Sequence, residues 1–407
     1  MRYLLFFTII FPTLLLASFR GYLIDKNGAL PIVNAVISDG NVTVKSDKNG
    51  DFFIDSNATR FHVKAYGYRP LSFQADIGTK MIELTSIKVK ALYLTFWGAS
   101  NNSKTLKNIL DIVDTTEVNA VVVDVKNEYG STSFLTAYGK ANSYGAQKHR
   151  TNRNIQKFIA TMKAHHIYTI ARIVTFKDEI QASHNPEYAL RKEANNTIWR
   201  NHDNMAWVDP FDKRARDYTI SIAEEAAKVG YDEINFDYIR FPAKEGLKYS
   251  QQCTQKTRVK AIERFLDEAQ KRLRKYGVFV SVDTYGNICW SKDDNGIGQR
   301  VASLAKHADY ICPMLYPSGF SSGSFHFKHP AEHPYEVIYR SVKKTQDRVP
   351  SSRVRPWLQG FRDYTAKRRP YKKEEIQAQI RATEDIGTNG WMLWSPSSKY
   401  NKEYLLK

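Results

Sequence analysis

Hydrophobic and polar positions alternate in two different rhythms along this chain. From Phe19 to about Lys88 the period is two, in short runs broken by turn signals. Asn27-Gly28 and Asn49-Gly50 both sit between alternating stretches. Asn and Gly tolerate the positive φ that tight hairpin turns demand, so this part predicts a small β-sandwich. From Val89 onward, continuous apolar runs alternate with stretches of helical period. Eight such runs can be read: Lys90–Trp97, Ala120–Glu128, Ile167–Phe176, Tyr231–Phe241, Val278–Gly286, Ala308–Pro317, Val354–Phe361 and Gly390–Pro396. Before the fifth run, Val259, Ile262, Phe265, Leu266, Ala269 and Leu273 recur on one helical face. Eight strand–helix units suit a closed barrel. An open doubly wound sheet is the alternative, but no glycine-rich phosphate loop supports it. The predicted fold is therefore α/β, with a (β/α)8 TIM barrel over residues 89–407 preceded by a small β-sandwich domain over 19–88.

Residues 1–18, MRYLLFFTIIFPTLLLAS, place Arg2 before an apolar run that ends in small residues. The run is shorter than the roughly 20 residues a spanning helix needs, so it reads as a secretory signal peptide. The expected location is periplasmic, cell-surface or secreted, with an uncleaved membrane anchor as the alternative. Three cysteines, Cys253, Cys289 and Cys312, are too few for a disulfide scaffold. One pair, such as Cys253 with Cys289, would leave an odd thiol.

The net charge of +18 suits anionic partners, such as an acidic glycan or an envelope surface. Lysines dispersed over solvated faces account for it more simply, because the basic residues are mostly scattered. The densest clusters, Lys271–Lys275 and Lys367–Lys373, come with no nucleic-acid motif, so nucleic acid is not an expected partner. The oligomeric state is left open.

In a barrel of this kind the site lies at the carboxyl ends of the strands. The fourth run, YDEINFDYIRFP, carries Glu233, Asn235 and Asp237 at alternate positions, with Ile234 and Phe236 on the opposite face. The apolar face must pack on helices, so the polar face points inward. Asp237 is then nearest the open end, and Glu233 belongs to the barrel floor. The same count turns Ser281 and Asp283 inward on the fifth strand, and Asp124 and Lys126 on the second, where Lys126 could neutralise Asp124. Asn127 and Glu128 follow at the end of that strand. The third strand brings Arg172 to the same mouth. Two carboxylates at a barrel mouth fit glycoside hydrolysis, one protonating the leaving oxygen and the other attacking carbon or activating water. Asp237 and Asp283 are the candidate catalytic pair. Asp124, Lys126, Arg172, Asn235, Arg240, Tyr316, Trp357, Gln359 and Trp394 are candidates for substrate contact, with the aromatic rings as stacking faces for sugars. The structural reading of Asp237 is a buried salt bridge to Arg240 or Arg172.

His326, His329 and His333 fall in a stretch interrupted by Pro330 and Pro334, which reads as a solvated loop. No spacing suggests zinc, and neither a metal nor a cofactor is expected.

In order along the chain, ALYLT, VVVDVKNEYG, YTIARIVTFKD, WVDP, GYDEINFDYIRFP, VSVDTYG, DYICPMLYPS, HPYEVI, RPWLQGF and GWMLWSP resemble a bacterial family of predicted glycosyl hydrolases with an alpha-amylase-like (glycoside hydrolase family 13-like) barrel, first catalogued as a domain of unknown function. The resemblance runs through nearly the whole barrel. It implies a retaining glycosidase with Asp237 as nucleophile and Asp283 as acid/base. Alpha-amylases carry Glu at the strand-five position and Arg two residues before the nucleophile, where this chain has Asp283 and Asn235. GYLIDKNGALPIVNAVI, VKSDKNGDFFI and VKAYGYRP resemble the carboxypeptidase regulatory-like domain, which implies an accessory module without catalytic residues. The reading from another class is a non-catalytic glycan-binding protein on a degenerate barrel. A third is a partner-recruiting protein in which the sandwich does the main work.

Overall fold

The computed structural model describes residues 18–75, 81–365 and 367–405. Apart from Ser18, the segment read as a signal peptide lies outside the described residues.

The N-terminal part forms two small sheets. Ser18–Asp25 pairs antiparallel with Asp51–Asp55 and parallel with Met81–Leu84. The other sheet runs in the order Thr43–Lys45, Val36–Ser38, Arg60–Lys64, Leu71–Gln74. Period-two alternation does what the sequence requires: in Asp51–Asp55 only Phe52 and Ile54 are buried. They join Leu23, Ile37, Phe61, Val63 and Leu84 in a core of their own. The turn at Asn49-Gly50 needs glycine twice over. Gly50 has a φ of +81°, and a Cβ there would lie 2.4 Å from the Leu23 carbonyl oxygen.

Eight parallel strands then close into a barrel, joined in chain order with the eighth paired to the first. They are Val89–Leu94, Ala120–Lys126, Tyr168–Val174, Glu233–Asp237, Phe279–Tyr285, Tyr310–Met314, Trp357–Gln359 and Gly390–Trp394. Each falls within one of the eight apolar runs, apart from Val89, one residue ahead of the first. The seventh is the shortest because Pro356 has no N–H to give to a ladder. Closure depends on Gly390, where φ is +77° and a Cβ would stand 1.9 Å from the Val89 carbonyl oxygen.

Helices cover the outside. The helix Gln255–Leu273 buries the stripe read from its spacing, and Thr254 and Thr257 cap its start reciprocally. Outward residues such as Ile234, Phe236, Val280 and Val282 pack beneath the helices. Inward residues such as Val122, Ile170, Phe279, Cys312 and Met392 fill the lumen. Glu233 lies in that floor. Arg355 donates to both its oxygens at 2.9 Å, and the Tyr168 hydroxyl donates a further bond at 2.9 Å. A fully buried carboxylate is tolerated because it is paired and hydrogen-bonded. All three cysteines are free thiols.

The sandwich docks on the barrel's amino-terminal end. Lys64 pairs with Asp309 at 2.9 Å, the Gly67 N–H donates to the Tyr310 hydroxyl at 3.1 Å, and Arg69 donates to the His166 carbonyl at 2.6 Å. These partners stand at the starts of the third and sixth barrel strands. The carboxyl ends, where loops carry chemistry, are left open at the other side.

Candidate active site

Arg172 organises the mouth of the barrel. Its Cα is in register with Asn235 on one side and Asp124 on the other. From there the guanidinium reaches three carboxylates. It donates to Asp237 Oδ2 through Nε at 3.0 Å and Nη2 at 2.6 Å, to Asp124 at 2.5 Å and to Glu128 at 2.8 Å. This fork geometry suits a planar guanidinium and not a lysine. The salt-bridge reading of Asp237 therefore holds, with Arg172 as its partner and not Arg240. The contact does not remove Asp237 from the mouth, because Asp237 still lines the cavity. The cation beside Asp237 comes from the neighbouring strand, and position 235, two residues before Asp237, holds Asn.

Asn235 turns to the fifth strand instead. Its amide donates to Asp283 Oδ1 at 2.9 Å and to the Ser281 hydroxyl at 3.0 Å. The Trp357 indole N–H donates to the same Oδ1 at 2.7 Å. With two donors on Oδ1, a proton on Asp283 belongs on Oδ2. Burial and the neighbouring charge of Asp237 push the Asp283 carboxyl well above the usual carboxylate range, against the opposing pull of Asn235 and Trp357. Burial also lifts Asp124 to about 6, opposed by the Arg172 charge. Glu128 goes the other way: burial raises its carboxyl, but Arg172 outweighs burial and leaves it below its ordinary value.

A cavity of about 340 Å³ opens above these groups. Of the residues singled out from sequence, Asp237, Asp283, Arg172, Arg240, Tyr316, Trp357 and Trp394 line it. The others stand behind it or away from it. Asp124 is buried beneath Arg172 and accepts from the Tyr93 hydroxyl at 2.5 Å. Asn235 supports Asp283 from inside the barrel wall. Lys126 does not neutralise Asp124. The ladder between the second and third strands slips at this point, so that Ile173 faces Lys126. Its amine bridges to Asp178 at 2.8 Å and donates to the Val174 carbonyl at 2.6 Å, fully buried. The Gln359 side chain is spent on Ser318, from which it accepts, and on the Phe361 carbonyl, to which it donates. Among the described residues, no group of three or more His, Cys, Asp or Glu side chains could hold a metal ion.

Several residues in or behind the cavity escape the sequence reading. Glu128 stands in a run already read as polar, yet only its contact to Arg172 gives it a place. Tyr93 could have been found, since the alternation that turns Ala91 inward turns Tyr93 inward too. Its ring stacks on Trp394 with centroids 3.8 Å apart. Tyr364 and Phe320 lie in loops and Asn287 in a short 3-10 turn after the fifth strand, where no periodicity marks them. Tyr238 follows Asp237 with φ +49°, and its N–H donates to Asp237 Oδ1 at 2.6 Å. A left-handed aromatic residue is a strained position of the kind that clusters at functional sites. Here it ends the fourth strand and brings Arg240 to the cavity.

A closed (β/α)8 barrel with carboxylates gathered at its carboxyl mouth places this protein among barrel enzymes. Residues 91–400 match the family model described as a "putative glycosyl hydrolase domain", and the chain belongs to that family of glycosyl hydrolases. Among solved structures, a hypothetical protein from Ruminiclostridium thermocellum is 35% identical, covering 47% of this chain and 96% of that one, with a TM-score of 0.43. The PgaB (BpsB) glycoside hydrolase domain from Bordetella bronchiseptica has the same fold at 12% identity, covering 77% of this chain and 95% of that one, with a TM-score of 0.54. A comparison with curated proteins found no match.

Proposed function

We propose that the protein hydrolyses O-glycosidic bonds of a polysaccharide or cell-envelope glycan with Asp237 as nucleophile and Asp283 as general acid, then base. The observation that carries this reading is the contrast between the two carboxyls. Asp237 is held by the Arg172 guanidinium, whereas Asp283 is buried, favours its proton and lines the same cavity. One carboxyl paired with a guanidinium beside another that keeps its proton fits the division between nucleophile and acid in a glycosidase. Phe236 is in register with Val282, so Asp237 and Asp283 stand one step further on at facing positions of adjoining strands. Strands in a sheet run roughly 4.8 Å apart. Double displacement with retention calls for carboxyls roughly 5–5.5 Å apart, and inversion for roughly 6.5–9.5 Å.

In the first step the Asp237 oxygen bonds to the anomeric carbon, the glycosidic C–O bond breaks, and the Asp283 proton goes to the leaving oxygen. In the second, Asp283 takes a proton from water, whose oxygen displaces Asp237. Trp394, Trp357 and Tyr316 offer faces for the sugar ring. The sandwich, on this reading, is an accessory module of the carboxypeptidase regulatory-like kind, and export rests on residues 1–18. The test is hydrolysis of a glycan panel by the wild type, by Asp237→Asn and by Asp283→Asn, with the anomeric configuration of the first product read by NMR. Each substitution should lower turnover by about 10²- to 10⁴-fold. Undiminished hydrolysis by Asp237→Asn would falsify the assignment. Binding without turnover by the wild type would instead favour a glycan-binding protein on a degenerate barrel.

A further inference from the structure

Two arginines line the cavity, and they are treated differently. Arg172 is neutralised by three carboxylates. Arg240 is 91% buried by the measure of its 9% exposure, yet among the described residues no carboxylate comes within 4.0 Å of it. It is held by aromatic faces instead, with its guanidinium carbon 4.9 Å from the centre of the Trp207 ring, 5.2 Å from Tyr238 and 4.8 Å from Tyr285. Its hydrogen bonds go to neutral oxygens, the Phe241 carbonyl at 3.1 Å and the Tyr285 hydroxyl at 3.2 Å. That engages two of the five N–H groups a guanidinium owns. A buried cation is costly unless an anion pairs with it, and ring contacts offset only part of the cost.

We infer that Arg240 is a specificity residue that receives an anionic substituent of the sugar bound in this cavity, a carboxylate or a phosphate. Arg240 lines the same cavity as Asp237 and Asp283, three residues beyond Asp237 in the chain. The aromatic collar leaves the guanidinium plane fixed and its remaining N–H groups free for a planar or tetrahedral anion. A neutral sugar that displaced water from this cavity would leave the cation unpaired, so the site discriminates by charge. The net charge of +18 would draw such a polymer toward the protein as a whole. The inference rests on the proposed glycosidase reading of the cavity.

The experiment uses the intact chain and matched monosaccharides that differ only at C6: glucuronate, its methyl ester, glucose and glucose 6-phosphate. Binding is read at the Arg240 Nε–H resonance and by calorimetry, for the wild type, Arg240→Gln and Arg240→Lys. An anionic member should shift the resonance and bind about tenfold to a hundredfold more tightly than its neutral counterpart. Arg240→Gln should abolish that preference, and Arg240→Lys should restore part of it. A response to glucuronate alone assigns a carboxylate, and to the phosphate alone a phosphate ester. Equal response to neutral and anionic members, or no response to either anion, overturns the inference. The glycan-panel hydrolysis assay reads the underlying activity separately. Turnover that depends on Asp237 without a charge preference sinks only the role of Arg240. A charge preference without turnover sinks the hydrolase reading and leaves an anion-binding cavity.

Discussion

The Trp357 indole donates to Asp283 Oδ1 at 2.7 Å, from the seventh barrel strand to the fifth. The bond passes over the sixth strand through the lumen, so a residue of the barrel core sets the chemistry of a residue of the mouth. A donor to a carboxylate favours its ionised form. Trp357 therefore restrains a carboxyl that burial and the Asp237 charge drive upward.

Trp357→Phe removes the donor and keeps most of the ring. The Asp283 carboxyl should then hold its proton to still higher pH. Activity that needs this proton is present below the raised value and is lost as pH climbs through it. The alkaline limb of the kcat/KM profile should accordingly move to higher pH in the variant. An alkaline limb that stays in place, or moves to lower pH, would show that Trp357 does not position Asp283.

Glu233 and Arg355 form the buried pair of the floor. Removing one partner of such a pair strands the other as an uncompensated charge and costs about 3–5 kcal/mol. Glu233→Gln should therefore shift the denaturant midpoint strongly to lower concentration. The residual folded protein should keep its activity at low temperature, because Glu233 does not line the cavity. A variant as stable as the wild type would mean that Arg355 finds another partner.

Gly390 lets the eighth strand approach the first. Gly390→Ala puts a methyl group where the Val89 carbonyl oxygen stands, in a backbone conformation that L residues avoid. The expected result is a loss of at least about 1–3 kcal/mol in thermal or denaturant unfolding, the range typical of strain at a special φ/ψ. Wild-type stability in this variant would show that the strand pair can separate without cost.

Much of this architecture was legible because its causes are periodic. Alternation in YDEINFDYIRFP placed Asp237 at the mouth and Glu233 in the floor, and strand pairing did the rest. Lys126 was misplaced by the same rule, since a slip in the ladder between Arg172 and Ile173 breaks the count. The bridge from Arg172 to Asp237 is one of two pairings the sequence offers, whereas its further reach to Asp124 and Glu128 was not legible, because it depends on the extent of one side chain. Tyr238 was invisible for a related reason. Its positive φ is imposed by the surrounding fold and leaves no mark on composition or spacing. Loop residues such as Tyr364 and Phe320 reach the cavity through folded connections that have no period at all.

Asp124 provides a signature in stability that is separate from catalysis. Its carboxyl rises from 3.8 to about 6 in the folded protein, chiefly through burial, with the Arg172 charge opposing. The folded state therefore holds this proton more tightly than the unfolded chain does. Stability from this group is full below pH about 4 and is lost as pH rises through about 6, the opposite of an ordinary salt-bridged aspartate. Asp124→Asn takes no part in that titration. The informative quantity is the difference in unfolding free energy between wild type and variant, measured by denaturant titration at closely spaced pH values. That difference should fall between pH about 4 and about 6 and level off above. A difference that rises across this interval would mean that the pull of Arg172 on Asp124 exceeds the cost of burying it.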